Sequence, residues 1–253
     1  MSNINLDFSP DVEVFDANIS IGRRHNRRMP VDTKTQVIEC LKQAGVSKAL
    51  TFSTHSLYVD AQSGNNNLIS ITQNSNHLVP QLVCNPGFES FENFTSLCTK
   101  FDIRSIRMSP KLHDYPFQHW MIESWINWFK KKKISIWISV WEVNPSELYQ
   151  IITENQDVNF VLTEAHYRQS KWVLQLLKKL KNTYIELSRW ALADGISLLL
   201  DNIDESRILF GSRFPDSPIS PQLYFLHNCN LSSKTLSLIC AGNVKRLLNN
   251  ENH

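Results

Sequence analysis

An α/β fold of the (β/α)₈ barrel type is predicted by three observations. Strand-like and helix-like segments alternate along the chain, and they count to eight pairs. The chain has 253 residues, close to the roughly 250 at which eight such pairs close into a barrel. The strand-like runs are short and strongly apolar, as parallel strands covered on both faces are. An open, doubly wound sheet is the alternative that the same alternation allows. No linker, repeat or low-complexity stretch divides the chain, so residues 1–253 are expected to form one domain.

The first strand is expected at Val12–Phe15. Asp32 or Thr33, with Gln36 downstream, can cap the next helix, whose apolar face is Val37, Leu41 and Ala44. Strands follow at Ala49–Phe52, Leu78–Val83 and Ile103–Met108. Trp125, Trp128 and Phe129 mark a helix that ends in Lys130, Lys131, Lys132 and Lys133, where positive charge complements the helix dipole. The fifth strand is Ile134–Val140, and Asn144 before Pro145 opens the helix after it. Val158–Leu162 is the sixth strand, followed by a helix with Trp172, Leu176, Leu177 and Leu180 on one face. Thr183–Leu187 and Arg207–Phe210 complete the set, and Ser220 before Pro221 repeats the Asn144 capping device.

Composition narrows the function. Hydrophobic residues at 42% and charged residues at 20% suit a globular domain with a sizeable core. A formal charge of +2 is too mild to point to nucleic acid, so no such partner is expected. No apolar run approaches the roughly 18 residues that span a bilayer, and the N-terminus lacks the pattern of a signal peptide. A cytoplasmic protein with no membrane partner is therefore expected, and a homo-oligomer stays open. Five cysteines without a Cys-x-x-Cys pair read as reduced. There is no P-loop, no Gly-x-Ser-x-Gly elbow, and only seven glycines from which to build a dinucleotide fingerprint.

Two segments carry a specific resemblance. Asp16-Ala17-Asn18-Ile19-Ser20-Ile21-Gly22 follows the first strand, and Phe210-Gly211-Ser212-Arg213-Phe214-Pro215 follows the last. Between them, Gln43 to Ala49, Gly64-Asn65, Ile106 to Pro110 and Ala241 to Leu248 match in order. Together they resemble the amidohydrolase-related family, from about Val14 to Leu248. That resemblance implies a (β/α)₈ barrel with its site at the strand ends. In the family the first segment usually reads Asp-x-His-x-His and the last Phe-Gly-Ser-Asp-x-Pro. The histidines bind a divalent metal and the aspartate handles a proton of the bound water. Here Asn18 and Ser20 stand at the histidine positions and Arg213 at the aspartate position. The later histidine positions fall on Ser139 and Glu164. Asn and Ser are poor zinc-type ligands, and a permanent cation at Arg213 opposes a divalent ion. The usual metal site is therefore expected to be absent, with no cofactor.

The polar residues at strand ends are the candidates for chemistry. His55, Glu164 and His166 are candidate proton carriers, and Asn18 would orient a water. Arg213 and Arg107 would bind an anion, with Asp16, Ser139 and Ser188 as further contacts. Arg213 has a second reading, in which it pairs with Glu164 or Asp16 and fills the space a metal would take. Asn85, His113, Tyr115, Trp141, Glu142, Glu186, Arg189 and Asp216 share the strand ends without an assigned role. Arginines at positions 23, 24, 27 and 28 would add positive field at the mouth. The expected partner is a small anionic, carboxylate-bearing molecule. Three functions follow: a metal-independent hydrolase or lyase, a catalytically inactive pseudoenzyme serving as a binding or scaffold module, or a metalloenzyme with a site relocated to Asp16, His55, Glu164 and His166.

Overall fold

The computed structural model describes residues 8–249. Its parallel strands are β1 (Phe15–Ile21), β2 (Lys48–Ser53), β3 (Leu78–Pro80), β4 (Leu82–Cys84), β5 (Ser105–Met108), β6 (Ser135–Ser139), β7 (Phe160–Thr163), β8 (Thr183–Glu186) and β9 (Ile208–Leu209). They pair in the order β1-β2-β3 and β4-β5-β6-β7-β8-β9. β3 and β4 are two halves of one barrel strand interrupted at Gln81, whose N–H still donates to the Thr51 carbonyl at 2.8 Å. The ring closes where Ala17 N–H meets the Phe210 carbonyl at 2.9 Å and Ser20 N–H meets that of Phe214 at 2.8 Å. This is the closed barrel, not the open sheet.

The helices that flank the strands are α1 (Lys34–Gln43), α2 (Thr54–Tyr58), α3 (Ala61–Thr72), α4 (Phe91–Lys100), α5 (His119–Lys132), α6 (Pro145–Glu154), α7 (Ser170–Lys179), α8 (Gly195–Leu200), α9 (Ser220–His227), α10 (Ser233–Ser237) and α11 (Asn243–Asn249). Thr33 caps α1 through the Gln36 N–H, and Asn144 caps α6 through the Ser146 N–H. Ser220 does not cap α9. The chain is already helical at Ile219, at φ −75° and ψ −51°, so Ser220 lies inside the first turn. No helix among the described residues is long and apolar enough to cross a membrane, and all five cysteines are free.

The barrel interior is layered. Its lower layer is apolar: Phe15, Ala17, Leu50, Trp137, Val161 and Leu209 pack with Val244, Leu247 and Leu248 of α11, which plugs the bottom. The upper layer is polar and forms the site.

β1 starts three residues later and ends six residues later than the expected Val12–Phe15, and Asp16, Asn18 and Ser20 are all buried within it. A register shift between Asp16 and Ile19 interrupts its pairing with β2. Successive side chains of a regular strand face opposite ways. Ala17 nevertheless packs in the lower layer while Asn18 bonds residues of the upper one. The bulge is what brings both into the interior.

Candidate functional site

Asn18 is the centre of the polar layer. Its Nδ2 donates to Glu186 Oε2 at 2.8 Å, and its Oδ1 accepts from Arg107 Nη2 at 2.8 Å. Arg107 Nε donates to Gln81 Oε1 at 3.1 Å, and the guanidinium lies 4.1 Å from the centre of the Phe52 ring. Burial lowers the Arg107 pKa, Glu164, Glu186 and Tyr58 oppose that, and Arg213 adds to it. Glu186 accepts from the Ser188 N–H and, at 2.8 Å, from the Ser188 hydroxyl. Burial nevertheless pushes its carboxyl up to about 7. Asp16 is also fully buried. Its Oδ1 accepts from the N–H groups of Asn18 at 3.0 Å and Ser212 at 2.9 Å, and its Oδ2 has no partner among the described residues. Burial raises the Asp16 pKa to about 6.

Above this layer the mouth is closed by ion pairs. Arg213 Nε lies 3.2 Å from Glu164 Oε1, a contact of opposite charges without hydrogen-bond alignment, and Nη2 lies 3.2 Å from Asp216 Oδ2. Glu164 and Arg213 both have left-handed backbones, at φ 58° and 62°, a conformation that costs a non-glycine residue about 1 kcal/mol. Arg24 Nη1 donates to both Asp216 oxygens at 2.9 Å, Arg27 also reaches Asp216, and Arg24 bonds the Tyr58 hydroxyl. Asp216 thus gathers three of the arginines expected to make the mouth electropositive. The space left between Asn18, Ser20, Arg24, Phe52, Glu164 and Arg213 is about 20 Å³, room for roughly one water.

Asp16, Asn18, Arg107 and Ser188 of the predicted set meet in the polar layer, with Glu164 and Arg213 directly above. Arg213 pairs with Glu164 as its second reading held, but with Asp216 rather than Asp16. The other candidates stand apart. His55 is exposed on α2 and bonds Ser63 Oγ at 3.1 Å. Ser139 ends β6, where its hydroxyl accepts from the Trp141 N–H at 3.4 Å. His166 caps the turn Tyr167–Gln169 and stands beside Trp141, with ring centres 6.3 Å apart. Desolvation, then Arg189 and Arg168, lower its pKa. Glu186 and Asp216 were given no role, yet they anchor the two layers. Glu186 and Ser188 are two residues apart at a strand end, the spacing that puts both on one face, and that was the available signal. Gln81 had none, because it sits inside an otherwise apolar run.

These residues do not fit a divalent metal. Among the described residues no three His, Cys, Asp or Glu side chains are placed to hold one. Two guanidinium groups occupy the region, and both ends of Asn18 are engaged by protein groups.

No protein-family model matches the chain, and no curated protein sequence matches it. Solved structures do match in shape. The 5-carboxyvanillate decarboxylase of Novosphingobium aromaticivorans, complexed with manganese and 4-hydroxy-3-methoxy-5-nitrobenzoic acid, superposes with a TM-score of 0.79 at 8% identity over 94% of this chain and 96% of that one. Amidohydrolase 2 from Bifidobacterium longum subsp. infantis gives 0.71 at 14% identity over 94% and 99%. A probable 2-pyrone-4,6-dicarboxylic acid hydrolase from Acinetobacter baumannii, with citric acid bound, gives 0.67 at 13% over 94% and 100%. The chain therefore shares the barrel fold of these proteins. A shared fold does not fix the reaction.

Proposed function

We propose that this protein binds a small carboxylate-bearing molecule at the barrel mouth without a metal ion and acts on it as a hydrolase or lyase. The observation that supports this is the placement of two guanidinium groups, Arg107 below and Arg213 above, around Asn18 at the strand ends. An entering carboxylate would replace Glu164 on Arg213, one anion for another, so the cation stays paired throughout. Glu164 is then released beside the ligand, where it can take a proton. Ser188, Glu186 and Asn18 hold the floor rigid. The citrate and nitrobenzoate ligands of the similarly folded proteins support the ligand class.

A second reading, a catalytically inactive binding module, is favoured by the filled mouth and by Asn18, whose two polar ends are already engaged. Titration calorimetry with benzoate and citrate in excess chelator, on the wild type and Arg213→Ala, tests the anion site, and metal content and turnover assays test the rest of the reading. Saturable binding that weakens about tenfold in Arg213→Ala supports the anion site. Equal affinity in the variant sinks the role of Arg213, and stoichiometric manganese or zinc in protein purified without chelator sinks metal independence. Binding without turnover on lactone, amide and carboxylic-acid panels selects the inactive module.

A further inference from the structure

A second cavity, of about 390 Å³, lies between the loop that follows β8 and helix α9. Its walls include Trp190, Leu192, Ile196, Phe210, Phe225 and Leu226, and none of its lining residues is charged. The volume falls in the range of small-molecule sites, roughly 300–1,000 Å³. The indole N–H of Trp190 donates at 2.9 Å to the carbonyl of Gly195, so its polar atom is satisfied within the protein. A Cβ on Gly195 would come within 2.9 Å of the Trp190 ring, so the glycine lets that wall close up. Gln222, also in the lining, donates its Nε2 to the Ser188 carbonyl at 2.7 Å and ties α9 to the β8 loop. These two bonds hold Trp190 and Gln222 in place, Gln222 Oε1 is buried without a partner among the described residues, and the rest of the lining is largely apolar and aromatic.

We propose that this cavity is a binding site for a neutral aromatic molecule of one or two rings. Absence of lining charge disfavours an anion, because a buried carboxylate without a partner is costly. Phe225, 44% exposed, offers a ring surface for the edge or face contact that a flat ring takes up, and the nearly buried Trp190 and Phe210 back the wall. The site shares Ser188 with the polar layer but uses none of its charged groups, and the proposal stands apart from the anion site at the mouth.

The test uses 5-fluoroindole as probe, followed by fluorine NMR, with unlabelled indole as competitor and benzoate as the charged control. The expected result is saturable binding displaced by indole and not by benzoate. Phe225→Lys places a cation in a half-exposed wall and is expected to weaken the probe about tenfold, and Ala191→Trp is expected to do the same by filling the rim. Arg213→Ala should leave the probe affinity unchanged. Absence of saturable binding overturns the proposal, as does equal affinity in Phe225→Lys, which stands on its own if the tryptophan variant fails to fold. Loss of the probe in Arg213→Ala, or displacement by benzoate, also overturns it by placing the ligand at the mouth.

Discussion

Asn18 and Glu186 are separated by 168 residues and meet side chain to side chain inside the barrel, Nδ2 to Oε2 at 2.8 Å. The contact needs a third residue with no side chain. A Cβ on Gly211 would stand 2.3 Å from Glu186 Oε1 and 2.7 Å from its carboxyl carbon. Gly211→Ala is therefore expected to push Glu186 off Ser188 and Asn18 and to cost about 2 kcal/mol. Urea unfolding of the purified variant measures this, and an unchanged midpoint would show that Glu186 can move without loss.

Glu186 also sets a pH dependence. Its carboxyl is raised from 4.5 to about 7, first by burial. The native state therefore holds a proton that the unfolded chain releases. Its stabilisation is complete below about 4.5 and is lost as pH rises through about 7, a change on the order of 3 kcal/mol. Asp16, raised to about 6, adds a loss with the same sign. Glu89 is raised to about 7 by burial, with Asp60 adding, so it contributes in the same window. Unfolding free energy is expected to fall from pH 5 to pH 8 in the wild type and to fall less steeply in Glu186→Gln. Identical slopes would place the titration at Glu89 and Asp16.

Asn65 pins the split third strand. Its amide donates to the Val83 carbonyl at 2.8 Å and accepts from the Val83 N–H at 3.0 Å, both fully buried. Asn65→Ala leaves two backbone groups of β4 without partners and is expected to cost about 3 kcal/mol. Thermal unfolding checks it. Loss of hydrogen-exchange protection confined to β4 and α3 would localise the damage.

Much of the barrel was legible because its outward-facing strand residues, such as Ile106, Ile136, Phe160 and Ile208, are apolar and recur between helices. β1 was read too early, at Val12–Phe15 rather than Phe15–Ile21, for the opposite reason. Asp16, Asn18 and Ser20 look like the start of a loop, and only a polar interior makes them strand. The end motifs containing Asn18 and Arg213 located the mouth. They could not show that Arg24 and Arg27 reach back to Asp216, because pairings across 192 and 189 residues leave no local pattern. Nor could they show that His55 turns outward, since its position just past β2 suits an inward or an outward side chain equally.

Asp216 is where the closed mouth can be tested most directly. Its side chain is 9% exposed and meets Arg24, 10% exposed, Arg27, 47% exposed, and Arg213, 28% exposed. Asp216→Asn keeps the shape and removes the charge on which the three guanidinium groups converge. The pairs lie between the buried and exposed limits, so the expected destabilisation is about 2 kcal/mol. Of the three cations, Arg213 alone would keep an ion-pair partner, Glu164, and the cluster would seek another anion. The variant should bind benzoate or citrate more tightly than the wild type, with an affinity that falls as salt rises. Stability lost together with affinity gained would identify Asp216 as an internal occupant of an anion site. Stability lost with no gain would mean that these arginines serve only to hold the mouth shut, and the inactive binding module would become the better account of the protein.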